Sequence, residues 1–366
     1  MKGKRFIIAG GGTGGHIFPA IAIANAIKKM MPDASFLFVG AKGKMEMEKV
    51  PQAGYEIVGL TIAGFNRSSL IKNIGLPIKL VQSFFQVARI IRDFCPDAVI
   101  GVGGYSSFPV LRYAQSKGIA TFIHEANYFA GKSNQLLSKK SVKVFTGTTG
   151  MEKFFPAEKI IHTGNPVRTS IVQMSATKEE GISHFDLDPQ KPVILVVGGS
   201  LGARSINQAV YNNIGLLEKH GLQLIWQTGK LFIDQARAAV SGMPHVYVSD
   251  FIAEMDLAYA AADMVISRSG AMSVAELCLV GKPVIFVPFP HAAEDHQTAN
   301  AQQLVQQHAA WMIKDDKVNE ELFPSLLRLQ SDKATQETMK QEIKKMAIAN
   351  ADEVVAREIL NSINVG

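Results

Sequence analysis

Cysteine is almost missing from this sequence: Cys95 and Cys278 are the only two in 366 residues. That is too few for a disulfide framework or a four-thiolate zinc site, and it points to a reducing, cytosolic compartment. No uncharged apolar run approaches the roughly 18 residues that span a bilayer. Met1-Lys2-Gly3-Lys4-Arg5 leads into only four apolar residues before Gly10, short of the roughly 7 to 15 of a secretory leader. The 31 glycines keep no three-residue period, which excludes collagen. With 47% hydrophobic and 19% charged residues, the chain is too apolar for disorder.

What is present is a length suited to two domains and an uneven charge. Residues 1–166 carry 21 Lys and Arg against 9 Asp and Glu, a net +12, whereas residues 167–366 carry a net −6. The overall +6 is therefore a cancellation, and the basic half is the one expected to meet an anion such as nucleic acid, a lipid headgroup or a phosphorylated substrate. Short β-branched or aromatic runs alternate with helical patterns: Phe6-Ile7-Ile8-Ala9, Ile17 to Met30, then Phe36-Leu37-Phe38-Val39. The scheme restarts at Pro192-Val193-Ile194-Leu195-Val196-Val197. Two parallel, doubly wound α/β sheets in series are expected. A boundary is expected near Thr163-Gly164-Asn165-Pro166, giving domains of 1–165 and 166–345, with a C-terminal helix of about 346–366 packing back on the first.

Both halves open with a strand that runs into glycines. Gly10-x-Gly12-x-x-Gly15 matches the letters of a dinucleotide loop. The next strand, however, ends Phe38-Val39-Gly40-Ala41-Lys42 with no carboxylate for a ribose, which argues against a nicotinamide oxidoreductase. No Gly-Lys-Ser/Thr follows this loop, so it is not a Walker loop either. Thr13 offers a hydroxyl and His16 sits where a helix begins, a position that favours neutral imidazole. Two readings stand for His16: a proton acceptor, or a residue that merely closes the loop. Gly101-Val102-Gly103-Gly104-Tyr105 and His124-Glu125-Ala126-Asn127 follow two further strands, and strand C-termini are where open α/β sheets build sites. In the second half, Gly198-Gly199-Ser200-Leu201-Gly202-Ala203 and Ser267-Arg268-Ser269-Gly270 put small residues at helix starts suited to a diphosphate. Glu276, one turn into the next helix, is placed to accept hydrogen bonds from ribose hydroxyls. The spacing of His291, Glu294, Asp295 and His296 is wrong for helical metal ligands, so no metal site is expected and polar sugar recognition suits the segment better.

The stretch 65–94 mixes Leu80, Val81, Phe84, Phe85, Val87, Ile90 and Ile91 with Arg67, Lys72, Lys79, Arg89 and Arg92. A helical apolar stripe ordinarily packs into a core. One interleaved with only basic charge up to Asp93 also suits an anionic membrane surface.

Seven segments in order, the six quoted loops from Gly11 to Gly270 with Gly164-Asn165-Pro166-Val167-Arg168 among them and Glu294-Asp295-His296-Gln297 at the end, resemble the MurG family. These are bacterial transferases that move N-acetylglucosamine from UDP-N-acetylglucosamine to the C4 hydroxyl of undecaprenyl-diphosphate-linked N-acetylmuramyl-pentapeptide, the step from lipid I to lipid II of peptidoglycan synthesis. The resemblance implies a B-type glycosyltransferase fold (GT-B), two Rossmann-like domains facing a cleft, and an inverting transfer. It implies His16 as base with Glu125 as its rival or partner. Thr13, Gly14 and Gly15 would face the donor's diphosphate and sugar, with Asn127 near the sugar and Arg168 and Ser200 on the nucleotide and its phosphates. It also implies Ile252 on the uracil, Ala271, Met272, Ser273, Val274, Ala275 and Glu276 on phosphate and ribose, and Gln297 on the N-acetylglucosamine. Gly103, Gly104 and Tyr105 would meet the acceptor. No cofactor is obligatory, a divalent cation assisting only through the diphosphate. The implied partners are the UDP-sugar, the lipid-linked muramyl-pentapeptide and an anionic membrane surface, the cytoplasmic face of the inner membrane, with no nucleic acid. The sequence departs from the family in Leu201, where Gln is frequent, and in Met272-Ser273-Val274-Ala275, where Leu-Thr-Val-Ser is common. A UDP-N-acetylglucosamine 2-epimerase, which needs no lipid acceptor, and a non-catalytic nucleotide-sugar binder are the rival readings.

Overall fold

The computed structural model describes residues 3–62, 76–199, 202–292 and 295–364. They form two compact units, one of residues 1–168 with 349–366 and one of residues 169–348.

In the first unit, β1 (Arg5–Ala9), α1 (Gly14–Met30), β2 (Ser35–Ala41), α2 (Glu46–Gln52) and β3 (Glu56–Leu60) are followed by α3 (Leu76–Phe94), β4 (Ala98–Gly101) and α4 (Ser107–Ser116). Then come β5 (Ala120–Glu125), α5 (Lys132–Ser138), β6 (Lys143–Thr146) and β7 (Ile160–His162). The strands pair in the order β3-β2-β1-β4-β5-β6-β7, every pair parallel. Such a sheet is covered on both faces, so its strands are apolar throughout rather than alternating. Phe6 and Ile8 face one layer with Ile17, Ile23 and Ile27 of α1. Ile7 and Ala9 face the other with Val87 and Ile91 of α3 and Leu111 of α4.

The second unit runs α6 (Thr169–Val172), α7 (Lys178–His184), β8 (Val193–Val197), α8 (Arg204–Asn212), α9 (Ile214–Lys219), β9 (Gln223–Gln227), α10 (Ile233–Ala239) and β10 (Val246–Ser249). It continues with α11 (Met255–Ala261), β11 (Met264–Ser267), α12 (Ala271–Val280), β12 (Val284–Phe286), α13 (His296–Gln306), β13 (Trp311–Met312), α14 (Val318–Ser331) and α15 (Lys333–Lys345). Its order is β10-β9-β8-β11-β12-β13, again all parallel. Both sheets therefore reverse direction of growth beside their first strand, between β1 and β4 and between β8 and β11. At such a switch point the outgoing loops diverge and leave a crevice at the strand C-termini. All the glycine loops except that of the Gly164 turn leave from these four strands.

The last helix, α16 (Ala351–Asn364), belongs to the first unit. It lays Val355, Ala356, Ile359 and Leu360 into the same core as α1, and Glu353 pairs with Lys29 at 3.0 Å while Glu358 pairs with Lys143. Ile359 is fully buried, so Ile359→Ala should lower the stability of the first unit by about 2–5 kcal/mol. Urea unfolding followed by hydrogen exchange should report the loss in β1, α1 and α16 and leave residues 169–348 unchanged.

Candidate functional site

At the first switch point, the β1 and β4 loops lie against each other. The loop after β1 is closed by Gly10 N–H to Val39 O at 3.1 Å, and the one after β4 by Val102 N–H to Ala9 O at 3.0 Å. Gly103 and Gly104 have φ of +95° and +84°, and their missing side chains are also a spatial requirement. A Cβ on Gly104 would stand 2.5 Å from Gly11 O, and one on Gly103 would stand 2.8 Å from Nε2 of His16. The imidazole thus rests directly on the β4 loop, with Tyr105 beside Gly12.

Thr13 is the N-cap residue of α1, and Gly14 and Gly15 open the helix. His16 lies in its first turn. Its Nδ1 lies 3.1 Å from Gly11 O and 3.3 Å from Thr13 Oγ1. A carbonyl only accepts, so Nδ1 carries the proton and Nε2 is the basic nitrogen. Four of the expected residues, His16, Gly103, Gly104 and Tyr105, come together here, with Thr13 alongside.

One participant was not expected. Glu46, at the start of α2, is fully buried; its carboxylate accepts Gly12 N–H at 2.9 Å and Ala41 N–H at 3.0 Å. It sits where a Cβ on Gly11 would be, 2.3 Å away. A fixed negative charge under the loop is the opposite of a pyrophosphate cradle, which removes the dinucleotide reading on electrostatic grounds. It also acts on Tyr105, whose phenol is pushed up by burial first and by the Glu46 charge second. In sequence, Glu46 is one acid among Lys42, Lys44 and Lys49 and reads as solvated charge; only its contact with the glycine loop reveals it.

Glu125 ends β5 and is buried. Oε1 accepts from the backbone and side-chain amides of Asn127 at 3.2 and 3.3 Å, and Oε2 from Gly131 N–H at 3.1 Å and Asn134 Nδ2 at 2.9 Å. Four donors match the roughly four lone-pair positions of a carboxylate, so Glu125 organises the loop that carries Asn127. Next to it, burial pushes the His124 imidazole down to about 4, His16 pushing the same way and the Gly164 backbone opposing; His124 is neutral at physiological pH. Arg168 ends the first unit with its guanidinium 5.1 Å from the centre of the Phe18 ring on α1.

In the second unit, Ser200, Leu201 and Glu294 lie outside the described residues, as do residues 63–75 of the first. Around them the β8 loop is held closely: a Cβ on Gly202 would be 2.1 Å from Thr228 O. Gln227, buried at the end of β9, donates to Gly199 O at 3.2 Å and accepts Ile252 N–H at 3.1 Å, so it couples that loop to the segment holding Ile252. At the other side of the switch point, Gly270 precedes α12 without a side-chain cap, and the first amides of an uncapped helix are natural partners of an anion. Ala271 and Met272 are buried, Ser273, Val274 and Ala275 are half-buried. Glu276 is buried as well, not a surface charge, and accepts from Tyr259 Oη at 3.1 Å. Gln297 begins α13 with Oε1 accepting Phe289 N–H at 3.0 Å, and its carbonyl takes the Ser269 hydroxyl at 2.8 Å.

Arg268 carries no expected role, yet it is the brace of this end. It donates to Val287 O, Pro288 O and Ser205 Oγ at 2.9, 3.0 and 3.0 Å and pairs with Asp315 at 2.6 Å. Tyr259, Gln227 and Arg268 all act through other residues; no local motif marks Tyr259 or Gln227 in sequence, and Arg268 stands in a quoted segment only as a neighbour of its small residues. Among the described residues, no group of three or more His, Cys, Asp or Glu is placed to hold a metal ion.

Residues 6–146 match the glycosyltransferase family 28 N-terminal domain, and residues 193–355 the glycosyltransferase family 28 C-terminal domain. A protein of Phocaeicola vulgatus described as UDP-N-acetylglucosamine--N-acetylmuramyl-(pentapeptide) pyrophosphoryl-undecaprenol N-acetylglucosamine transferase is 50% identical over 358 residues, 97% of this chain and 95% of that protein. The crystal structure of Acinetobacter baumannii MurG superposes with a TM-score of 0.75 at 28% identity, covering 98% of this chain and 99% of the other. A Neisseria meningitidis UDP-GlcNAc 2-epimerase bound to UDP-GlcNAc has a TM-score of 0.69 at 16% identity, over 98% of this chain and 100% of the other, a likeness that speaks for the fold alone.

Removing the charge of Glu46 without changing its size tests the brace. Glu46→Gln turns one acceptor oxygen into a donor facing a backbone N–H, and should cost about 1–3 kcal/mol of stability. The amides of Gly12 and Ala41 should lose hydrogen-exchange protection, and those of β8 and α12 should keep it.

Proposed function

The chain belongs to glycosyltransferase family 28, and from that premise we propose that it moves N-acetylglucosamine from UDP-N-acetylglucosamine to the C4 hydroxyl of lipid-linked N-acetylmuramyl-pentapeptide. The observation that carries this reading is 50% identity across 97% of the chain to a relative of that description. In the reaction, the C4 oxygen attacks the anomeric carbon and the bond from that carbon to the β-phosphate oxygen breaks. UDP leaves with the electron pair, and a single in-line displacement inverts the centre. The C4 proton goes to Nε2 of His16, a role supported by the Nδ1 contact with Gly11 O. Glu125 is the weaker candidate because its oxygens already accept four hydrogen bonds.

The donor's phosphates suit the uncapped start of α12, Arg168 and the β8 loop with Ser200. Its ribose suits Glu276, its uracil Ile252, and its sugar Gln297, Asn127 and the Thr13-Gly14-Gly15 turn. Stabilisation of departing UDP by helix amides and a guanidinium needs no resident metal; a divalent cation enters only as a companion of the diphosphate. Gly103, Gly104 and Tyr105 receive the acceptor. Nucleic acid is not part of this reading.

The acceptor's lipid calls for a membrane surface, the cytoplasmic face of the inner membrane. No helix among the described residues is long and apolar enough to cross one. α3 supports surface binding. Its inner face buries Ser83, Val87 and Ile91, while Ile78, Val81 and Phe85, at i, i+3 and i+7, are 64%, 56% and 74% exposed. Arg89 and Arg92 continue that exposed side. Apolar side chains flanked by arginines suit anionic lipid; the first part of the stretch, residues 63–75, lies outside the described residues.

With radiolabelled UDP-N-acetylglucosamine and a short-chain lipid-linked muramyl-peptide, label should appear in the lipid product; free N-acetylmannosamine formed without acceptor would replace the reading with an epimerase. His16→Ala should lower turnover about 100- to 10,000-fold with UDP binding intact, and near-normal turnover would remove the base assignment. Val81→Glu with Phe85→Glu should abolish binding to phosphatidylglycerol vesicles and leave turnover of a water-soluble acceptor unchanged.

A further inference from the structure

We propose that the second unit carries, at the end of its sheet opposite the glycine loops, a site for a small, multiply charged phosphate-type anion. A cavity of about 320 Å³ opens there between the residues leading into β8, β11 and β12 and one face of α15. Its ionisable lining is Lys178, Lys191, Lys282, Lys333 and Lys340 against the single carboxylate of Asp263. This happens in the half of the chain whose net charge is −6, so the lysines are gathered against the overall sign of their surroundings.

The gathering is built by the fold. Lys333, Lys340 and Lys344 recur at i, i+7 and i+11 on α15, and such positions share a helix face. The stem of Lys344 lies over Gly281, where a Cβ would be 2.2 Å from its Cε, and this holds it next to Lys282. The carboxylates nearby answer only part of the group: one oxygen of Asp263 takes Lys178 at 2.6 Å and the other takes Val193 N–H at 2.9 Å, while Lys191 pairs with Asp188 and Lys340 with Glu337, each at 3.7 Å. Lys282 has a long contact to Ala260 O, 3.4 Å. Burial pulls its ammonium down to about 8, with Lys178, Lys340 and Lys344 adding to the fall and Asp263 opposing it. Among the described residues Lys282 and Lys333 have no carboxylate within 4.0 Å; an anion in the cavity would supply their counter-charge, and phosphate-type oxygens match point-charge ammonium donors. A concave space of this volume admits a small ion or a phosphorylated small molecule, not a helix or a bilayer.

Calorimetric titration of the full chain with inorganic diphosphate at low salt should show binding that Lys282→Met with Lys340→Met weakens by roughly tenfold per lysine. The double variant should keep its UDP affinity and its turnover, since neither lysine touches the donor or acceptor residues. Sulfate, which does not titrate near neutrality, should bind more tightly at pH 7 than at pH 9, because Lys282 is protonated below about 8; that difference should vanish in the double variant. Equal diphosphate affinity in the two proteins overturns the proposal. So does binding only of phosphatidylglycerol vesicles, which would mean a lipid headgroup, or only of polyglutamate, which would mean an acidic protein segment.

Discussion

A carboxylate removed from water must be given donors, and Glu46 finds them in the amides of Gly12 and Ala41. By taking them it fixes the loop whose Gly11 carbonyl orients the His16 ring. The β4 loop can close on that arrangement only because residues 103 and 104 present no Cβ to His16 and to Gly11 O. One buried charge and two missing methyl groups thus determine which imidazole nitrogen is basic and where it points. The letters Gly-x-Gly-x-x-Gly, which elsewhere cradle a pyrophosphate, here accompany the close approach of two loops around the His16 imidazole.

The second unit solves the complementary problem without a net positive charge. What it offers at its switch point is backbone amides at the uncapped start of α12, a fixed dipole rather than a mobile cation, which is what the proposed function asks of a diphosphate partner. Among the described residues, the one buried guanidinium at that end, Arg268, is directed to carbonyls and to Asp315 and so holds loops in place. Charge summed over a half of the chain is therefore a poor guide to what that half binds, because phosphate recognition is set by oriented groups within a few ångströms.

Much of this was legible in the sequence for a physical reason. Strands buried on both faces read as continuous apolar runs, and loops at a switch point need small residues, so Ile7-Ile8-Ala9-Gly10 and Val196-Val197-Gly198-Gly199 announce both sheets and both sites. His16, Gly103 and Glu125 stand out because each follows such a strand. What the sequence hid are residues acting through others across long separations: Glu46 on Gly12, Tyr259 on Glu276, Gln227 on Ile252. None has a local signature, since a lone acid or amide in a polar stretch looks solvated. α3 was ambiguous for another reason. Its apolar residues occupy two faces, one turned to Leu111 and Ile7 and one to solvent, and periodicity alone does not say which face has a partner. Phe84 is half-buried and Phe85 exposed, a distinction of one position that only the packing decides.

The return of α16 to the first unit has a bearing on how the protein is made. A ribosome delivers β1 through β7 long before Val355 and Ile359 emerge, so the core shared by α1 and α16 stays open to solvent on one side while the whole second unit is synthesised. The second unit, contiguous in sequence, has all its strands and helices in hand first. Domains usually complete in the order of translation; here the unit begun first is the one finished last. The greasy groove along α1 that awaits α16 is, for that interval, a natural ligand for a chaperone.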